Sequence, residues 1–244
     1  MIKLGILLCD DHRPELVEKY GTYDQDFIQM LDAVAPGHFE YQAWRCHEEQ
    51  FPNAADQVDV WIISGSKWGA YDPAPWIKHL KKFIQKIDQY QIPLLGICFG
   101  HQVIHSALGG HVAKSEKGWG LGAYPVIARK SFGAFSEGET IRVLSMHQDQ
   151  VMKPAPGFDS LAHSEFCPHP ITHKSQHILT FQSHPEFVDE LFADLCHKIR
   201  EKVDQELIES TLLKMGQEDD RHPVRRLVAE FLLGNSRLKD PLAE

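Results

Sequence analysis

The chain has 244 residues, 43% of them hydrophobic and 24% charged, enough for one large core or for one domain with an extension. A formal net charge of -9 argues against general binding to nucleic acid or to an anionic membrane. Five scattered cysteines with no CxxC pair argue against a disulfide scaffold and predict a reducing, cytoplasmic setting, and no apolar run approaches the roughly 20 residues of a membrane helix.

The opening stretch, MIKLGILLCDD, reads as a strand over 2–9 rather than as a signal peptide, because a short apolar run gives way at once to acids. Residues 14–34 read as a helix interrupted at Gly21, residues 38–46 alternate as a strand does, and 58–65 is a near-continuous apolar strand. In 75–90 the residues Trp76, Ile77, Leu80, Phe83, Ile84 and Ile87 share one helical face, with Lys78, Lys81, Lys82 and Lys86 mainly on the solvated one. Residues 92–97 form another buried strand, and a helix pattern follows immediately. Buried strands alternating with amphipathic helices predict an α/β fold, a mostly parallel doubly wound sheet with helices on both faces.

From about His111 to Phe181 the segments become short and turn-rich, which predicts antiparallel strands appended to the sheet or extending it. From Phe187 the chain turns helical, with one stripe through Val188, Leu191, Phe192, Leu195 and Ile199 and another through Val224, Leu227, Val228, Phe231 and Leu232. The polar run at 216–223 is read as the separator of those two helices. The expected division is a main domain over 1–200 and a helical extension over 201–244, for which a covering, dimer-forming or partner-docking role stays open.

Gly96-Ile97-Cys98-Phe99-Gly100 sits where the strand becomes the helix. Small residues on either side of a sharp turn let the chain approach itself and expose one side chain, here a cysteine. A cysteine at a helix N-terminus gains stabilisation of its thiolate, and the same free N–H groups suit an oxyanion. Taken alone, the pattern is equally compatible with a buried cysteine packed in a glycine turn. A thiol nucleophile needs a base and the base an orienting group. His184 and Glu186, two apart in the extended run TFQSHPEF, project to the same side, and Pro185 stiffens the backbone between them. On spacing alone they equally suit a surface histidine beside a capping glutamate.

GICFGHQ followed far downstream by HPE resembles the triad-type class I glutamine amidotransferases, and IISGS, ALGGHV, KGWGLG and SMHQDQV resemble further landmarks in the same order. The match runs from Met1 to about Leu195 and most resembles the amidotransferase domain of GMP synthetase and its stand-alone relatives, plant γ-glutamyl peptidases included. The resemblance implies Cys98 as nucleophile, His184 as base and acid, Glu186 as orienting group and the backbone N–H groups of Gly65 and Phe99 as the oxyanion hole. It further implies Gln102 and His147 as substrate-binding residues, with glutamine or a γ-glutamyl compound as substrate and no metal or organic cofactor. The chain departs from the family pattern at Gly65-Ser66-Lys67, where many members carry Gly-Gly-Pro, and the 58 residues after Glu186 leave no room for a synthetase domain. Three readings follow: a glutaminase that supplies ammonia to a separate synthetase, a γ-glutamyl peptidase, or a non-catalytic relative. His163, Cys167, His169, His173 and His177 match no standard zinc spacing, and Cys9, Cys46, Cys167 and Cys196 are read as structural.

Overall fold

The structure, a computed structural model, describes residues 1–216 and 219–234. Its first half alternates as the periodicities require: β1 (Ile2–Leu8), α1 (Pro14–Tyr20), α2 (Tyr23–Asp32), β2 (Phe39–Arg45), β3 (Val60–Ile63), α3 (Pro75–Gln89), β4 (Leu94–Ile97) and α4 (Phe99–Ala107). The expected break at Gly21 is real: that residue adopts φ 88°, and the Gln25 side chain accepts the Thr22 N–H at 3.2 Å to start α2. Short strands fill the middle: β5 (His111–Lys114), β6 (Gly120–Gly122), β7 (Pro125–Ala128), β8 (Thr140–Arg142), β9 (Ser145–His147), β10 (Asp149–Lys153), β11 (Asp159–Ser160), β12 (Ala162–His163), β13 (Ile171–Lys174) and β14 (Ile178–Phe181). Three helices follow, α5 (Asp189–Ile199), α6 (Gln205–Leu213) and α7 (Arg221–Leu232).

The main sheet has seven strands in the order β11-β13-β14-β4-β3-β1-β2. β2, β1, β3, β4 and β14 run parallel, and β13 adds to β14 antiparallel. The remaining short strands pair antiparallel in small separate ladders, β5 with β10, β6 with β9, and β7 with β8 and β12. Successive residues of the central strands feed opposite faces, as the pleat demands. Leu4, Ile6, Ile62, Leu95, Ile97, Leu179 and Phe181 enter one core with α2, α5 and α7, whereas Leu7, Trp61, Ile63, Leu94 and Ile178 enter the other with α3 and α4. All six apolar residues expected on the inner face of α3 are buried.

The C-terminal part differs from the two-helix reading. A third helix, α6, lies between the two stripes, capped by the Asp204 side chain on the Glu206 N–H at 2.8 Å. Only Ile208 and Thr211 of α6 are buried, so its apolar periodicity is too faint to stand out. The polar run ends earlier than expected, because Arg221, His222 and Pro223 form the first turn of α7, a place where proline fits. Val224, Leu227, Val228, Phe231 and Leu232 are buried in the same core as α2 and β4. Residues 217–218 and 235–244 of the expected extension lie outside the described residues. No helix among the described residues is long and apolar enough to cross a membrane.

Candidate active site

β4 ends at Ile97 and α4 begins at Phe99, so Cys98 alone makes the turn. Its backbone adopts φ 51° and ψ -102°, a conformation an L residue keeps only when its surroundings impose it. The Cys98 N–H donates to the Phe181 carbonyl at 2.8 Å, and its own carbonyl accepts from the Gln102 N–H at 3.1 Å. The flanking glycines make the approach possible: a Cβ on Gly100 would lie 2.3 Å from the Ile63 carbonyl oxygen, and one on Gly96 2.5 Å from Ile104 Cδ1. Gly100→Ala therefore forces β3 and α4 apart. We expect it to lower stability by about 1–3 kcal/mol, read from urea unfolding; an unaltered midpoint would show that the turn tolerates the side chain.

β14 pairs with β4 in parallel, which carries the segment after Phe181 to the same end of the sheet as Cys98. His184 is fixed there by its N–H on the Leu144 carbonyl at 2.7 Å and by Phe187, whose ring stacks on the imidazole at 4.1 Å and 4°. Its Nδ1 donates to Glu186 Oε1 at 2.6 Å, and both side chains are buried. With Nδ1 committed to Glu186, Nε2 is the nitrogen left to act on the Cys98 sulfur. Burial disfavours the imidazolium, but the Glu186 carboxylate and the Cys98 sulfur outweigh it and raise the His184 pKa to about 10. Gln182 Nε2 lies 3.6 Å from Cys98 Sγ.

The HPE segment is held from outside by α7. The guanidinium of Arg225 donates to the Pro185 carbonyl at 2.7 Å and the Phe187 carbonyl at 3.0 Å, and that of Arg221 to the Phe187 carbonyl at 2.7 Å. Arg221 is itself anchored on Asp189 and Asp219, each at 2.6 Å. These bonds satisfy the carbonyls on both sides of Glu186, where the loop has no ladder to pair with.

Of the other expected residues, Gly65 sits against the pair, since a Cβ there would lie 2.9 Å from His184 Cε1 and 3.7 Å from Cys98 Cβ. Its N–H differs from the expectation: it donates to the Tyr23 hydroxyl at 3.1 Å instead of standing open beside Cys98. Phe99 opens α4, so its N–H has no intrahelical acceptor. Gln102 is buried, with Nε2 on the Asp149 carbonyl at 2.8 Å and on Gln182 Oε1 at 3.2 Å. His147 uses both nitrogens, Nδ1 on the Asp149 carbonyl at 2.9 Å and Nε2 on the Tyr124 hydroxyl at 2.7 Å. The carbonyl can only accept, so Nδ1 carries a proton, and burial, which lowers the ring's pKa to about 4, keeps it neutral, with Nε2 accepting from Tyr124. Sequence reasoning missed Tyr23, Gln182, Arg221 and Arg225. Gln182 was within reach, because it precedes His184 by two on an extended run; the other three reach the site only through long-range packing.

Cys98, His184, Gln102 and His147 line a cavity of about 550 Å³. Its walls also carry carboxylates (Asp72, Asp149), cations (Arg13, Lys198, Lys202) and apolar surface (Leu16, Trp119, Ile199). Leu195 and Ile199 of the α5 stripe are half-buried because they face this space. Near its rim Asp11, His47 and Glu48 come close enough to share a cation, but the Arg45 guanidinium bonds both carboxylates and fills that role. The histidine-rich segment disperses: His169 bonds Ser160, His173 the Ser175 carbonyl and His177 Asp88.

Buried histidines give the fold a pH signature. Burial lowers His147 to about 4 and His105 to about 3, and it pushes His101 well below the ordinary value. These rings fold neutral, so their contribution is present above an unfolded value of about 6.5 and is lost as pH falls toward 4. His184 has the opposite sign: its contribution is full below about 6.5 and fades as pH rises toward its folded value of about 10. Urea midpoints are thus expected to peak near pH 6.5–7, with each neutral histidine steepening the acid side by up to about 1.4 kcal/mol per pH unit. A midpoint that stays flat from pH 7 to 4.5 contradicts this assignment.

A mainly parallel sheet, with a cysteine at a strained strand-to-helix turn and a buried histidine–carboxylate pair beside it, defines an α/β protein with a candidate thiol-hydrolase site. The chain belongs to the class I glutamine amidotransferases, whose family model matches residues 17–195. It is 28% identical to a glutamine amidotransferase-like protein of Schizosaccharomyces pombe, over 94% of this chain and 98% of that one. It is 29% identical to gamma-glutamyl peptidase 3 of Arabidopsis thaliana, over 95% of this chain and 96% of the relative. Its fold is that of a glutamine amidotransferase crystal structure from Thermotoga maritima, with a TM-score of 0.73 at 17% identity, covering 95% of this chain and 98% of that one.

Proposed function

We propose that the chain hydrolyses the γ-glutamyl amide bond of substrates with a leaving group larger than ammonia, through a thioester on Cys98. The observation that carries this reading is the open cleft of about 550 Å³ lined by Cys98, in the range of clefts that take drug-sized ligands. The Cys98 thiolate attacks the side-chain carbonyl carbon. Phe99, at the positive end of α4, offers its N–H to the oxyanion. The charged His184 gives its Nε2 proton to the departing amine, and the neutral ring then takes a proton from the water that cleaves the thioester, releasing glutamate. Glu186 holds the ring through Nδ1 and favours its charged form. The mixed lining suits a zwitterionic glutamyl group with a partly apolar, anionic leaving group. Gly65 can join Phe99 only if the Tyr23 hydroxyl yields its N–H.

The competing reading is an ammonia-producing glutaminase that serves a separate synthetase. Incubation of the pure protein with glutamine and with a panel of γ-glutamyl peptides separates them. Fast release of amino acids or peptides with slow ammonia release from glutamine is the expected result. Brisk glutaminase activity that is blind to peptides, or slow activity that rises sharply on adding a synthetase, sinks the peptidase reading.

A further inference from the structure

We propose that Tyr23 is a positioning residue that sets the proton affinity of His184 by donating a hydrogen bond to Glu186, a role that rests on the hydrolase reading above. The phenol is buried, with its ring between His12 at 4.9 Å and Phe27 at 5.5 Å. Its oxygen faces two groups, the Gly65 N–H at 3.1 Å and Glu186 Oε1 at 3.2 Å. An amide N–H can only donate, so the phenol accepts from Gly65, and its single proton goes to the carboxylate. Direction in this chain of bonds is therefore fixed by chemistry.

Glu186 has two donors among the described residues, His184 and Tyr23, both on Oε1, while Oε2 is buried without a partner. The phenol is thus half of the hydrogen bonding of this carboxylate. A neutral donor disperses the carboxylate charge and weakens its hold on the proton of His184. That serves a histidine that must both keep a proton and pass it on, since proton transfer is most efficient when the pKa lies near the working pH. The same oxygen holds Gly65, so the turn after β3 and the strength of Glu186 are set by one atom. Charged and titratable groups face this relay from every side: Cys98 from the elbow, His147 from β9, His12 and Asp26 beside the phenol, and Arg221 and Arg225 from α7. None of the others donates to Glu186.

The decisive variant is Tyr23→Phe in the full chain, which keeps the ring and removes one oxygen. Hydrolysis of γ-glutamyl-p-nitroanilide is followed against pH, and alkylation of Cys98 by iodoacetamide is followed in parallel because it needs no turnover. With the donor gone, Glu186 acts more strongly on its neighbours. The alkaline limb of kcat is expected to move up by about half to one pH unit, and the acid limb of alkylation to move the same way. At neutral pH kcat falls about three- to tenfold with KM little changed. In a Glu186→Gln background Tyr23→Phe moves neither pH limb, because its route to His184 is gone. Should Tyr23→Phe fold poorly, 3-fluorotyrosine at position 23 keeps the shape, strengthens the donor and shifts both limbs down. Profiles that superimpose on the parent, or a shift that persists with Glu186→Gln, overturn the proposal. If the parent cleaves no γ-glutamyl compound, the functional reading fails while the alkylation profiles still decide the role of Tyr23.

Discussion

Cys98→Ala is expected to abolish γ-glutamyl hydrolysis and leave the fold in place. The thiol lines the cavity, so its loss widens that open space rather than leaving a sealed void. A γ-glutamyl electrophile such as diazo-oxo-norleucine is expected to label Cys98 alone, since Cys98 lines the cavity whereas Cys9, Cys46, Cys167 and Cys196 are buried away from it. Burial also pushes the Cys9, Cys46, Cys167 and Cys196 thiols upward, which leaves them unreactive at neutral pH. The turn adds a second readout. Alanine keeps the unfavourable positive φ that cysteine adopts there, whereas glycine does not resist it. Cys98→Gly should therefore be as inactive as Cys98→Ala but more stable than it. Wild-type turnover in either variant, or a label on another cysteine, rules out the mechanism.

His184→Ala and Glu186→Gln are expected to differ in size and in kind. The first removes the proton carrier, and turnover should fall by about a hundredfold or more. The second keeps the shape: its amide oxygen can accept the Nδ1 proton and its NH2 takes the place of the unpartnered Oε2. What it loses is the charge. Glu186 and Cys98 together hold His184 up to about 10 against burial, so without the carboxylate the imidazolium deprotonates at lower pH. The alkaline limb of Glu186→Gln is accordingly expected to move down by more than one pH unit, with a loss at neutral pH smaller than that of His184→Ala. A Glu186→Gln enzyme as inactive as Cys98→Ala, or with an unmoved alkaline limb, would show that Glu186 works through something other than its charge on His184.

Local chemistry made part of this legible. The elbow is encoded within five residues, because both glycines and the cysteine act on one turn, and each sits where that logic requires. The His184–Glu186 bond was legible for the same reason, since two residues on one extended run share a side. The faint α6 was not, because only Ile208 and Thr211 of it are buried and its apolar period is weak.

The sequence by itself determined the α/β class, the order of the main strands and helices and the identity of the strained cysteine, because hydrophobic period and turn chemistry are properties of neighbours in the chain. Only the tertiary structure brings His184 against Cys98, since that follows from the parallel pairing of β14 with β4, in which Phe181 lies opposite Ile97, 84 residues earlier in the chain. It alone turned the Gly65 N–H toward Tyr23, and it alone brought Arg221 and Arg225 onto the carbonyls beside Glu186. Those contacts join residues tens of positions apart through the common core of the sheet and α7, and no local preference records them.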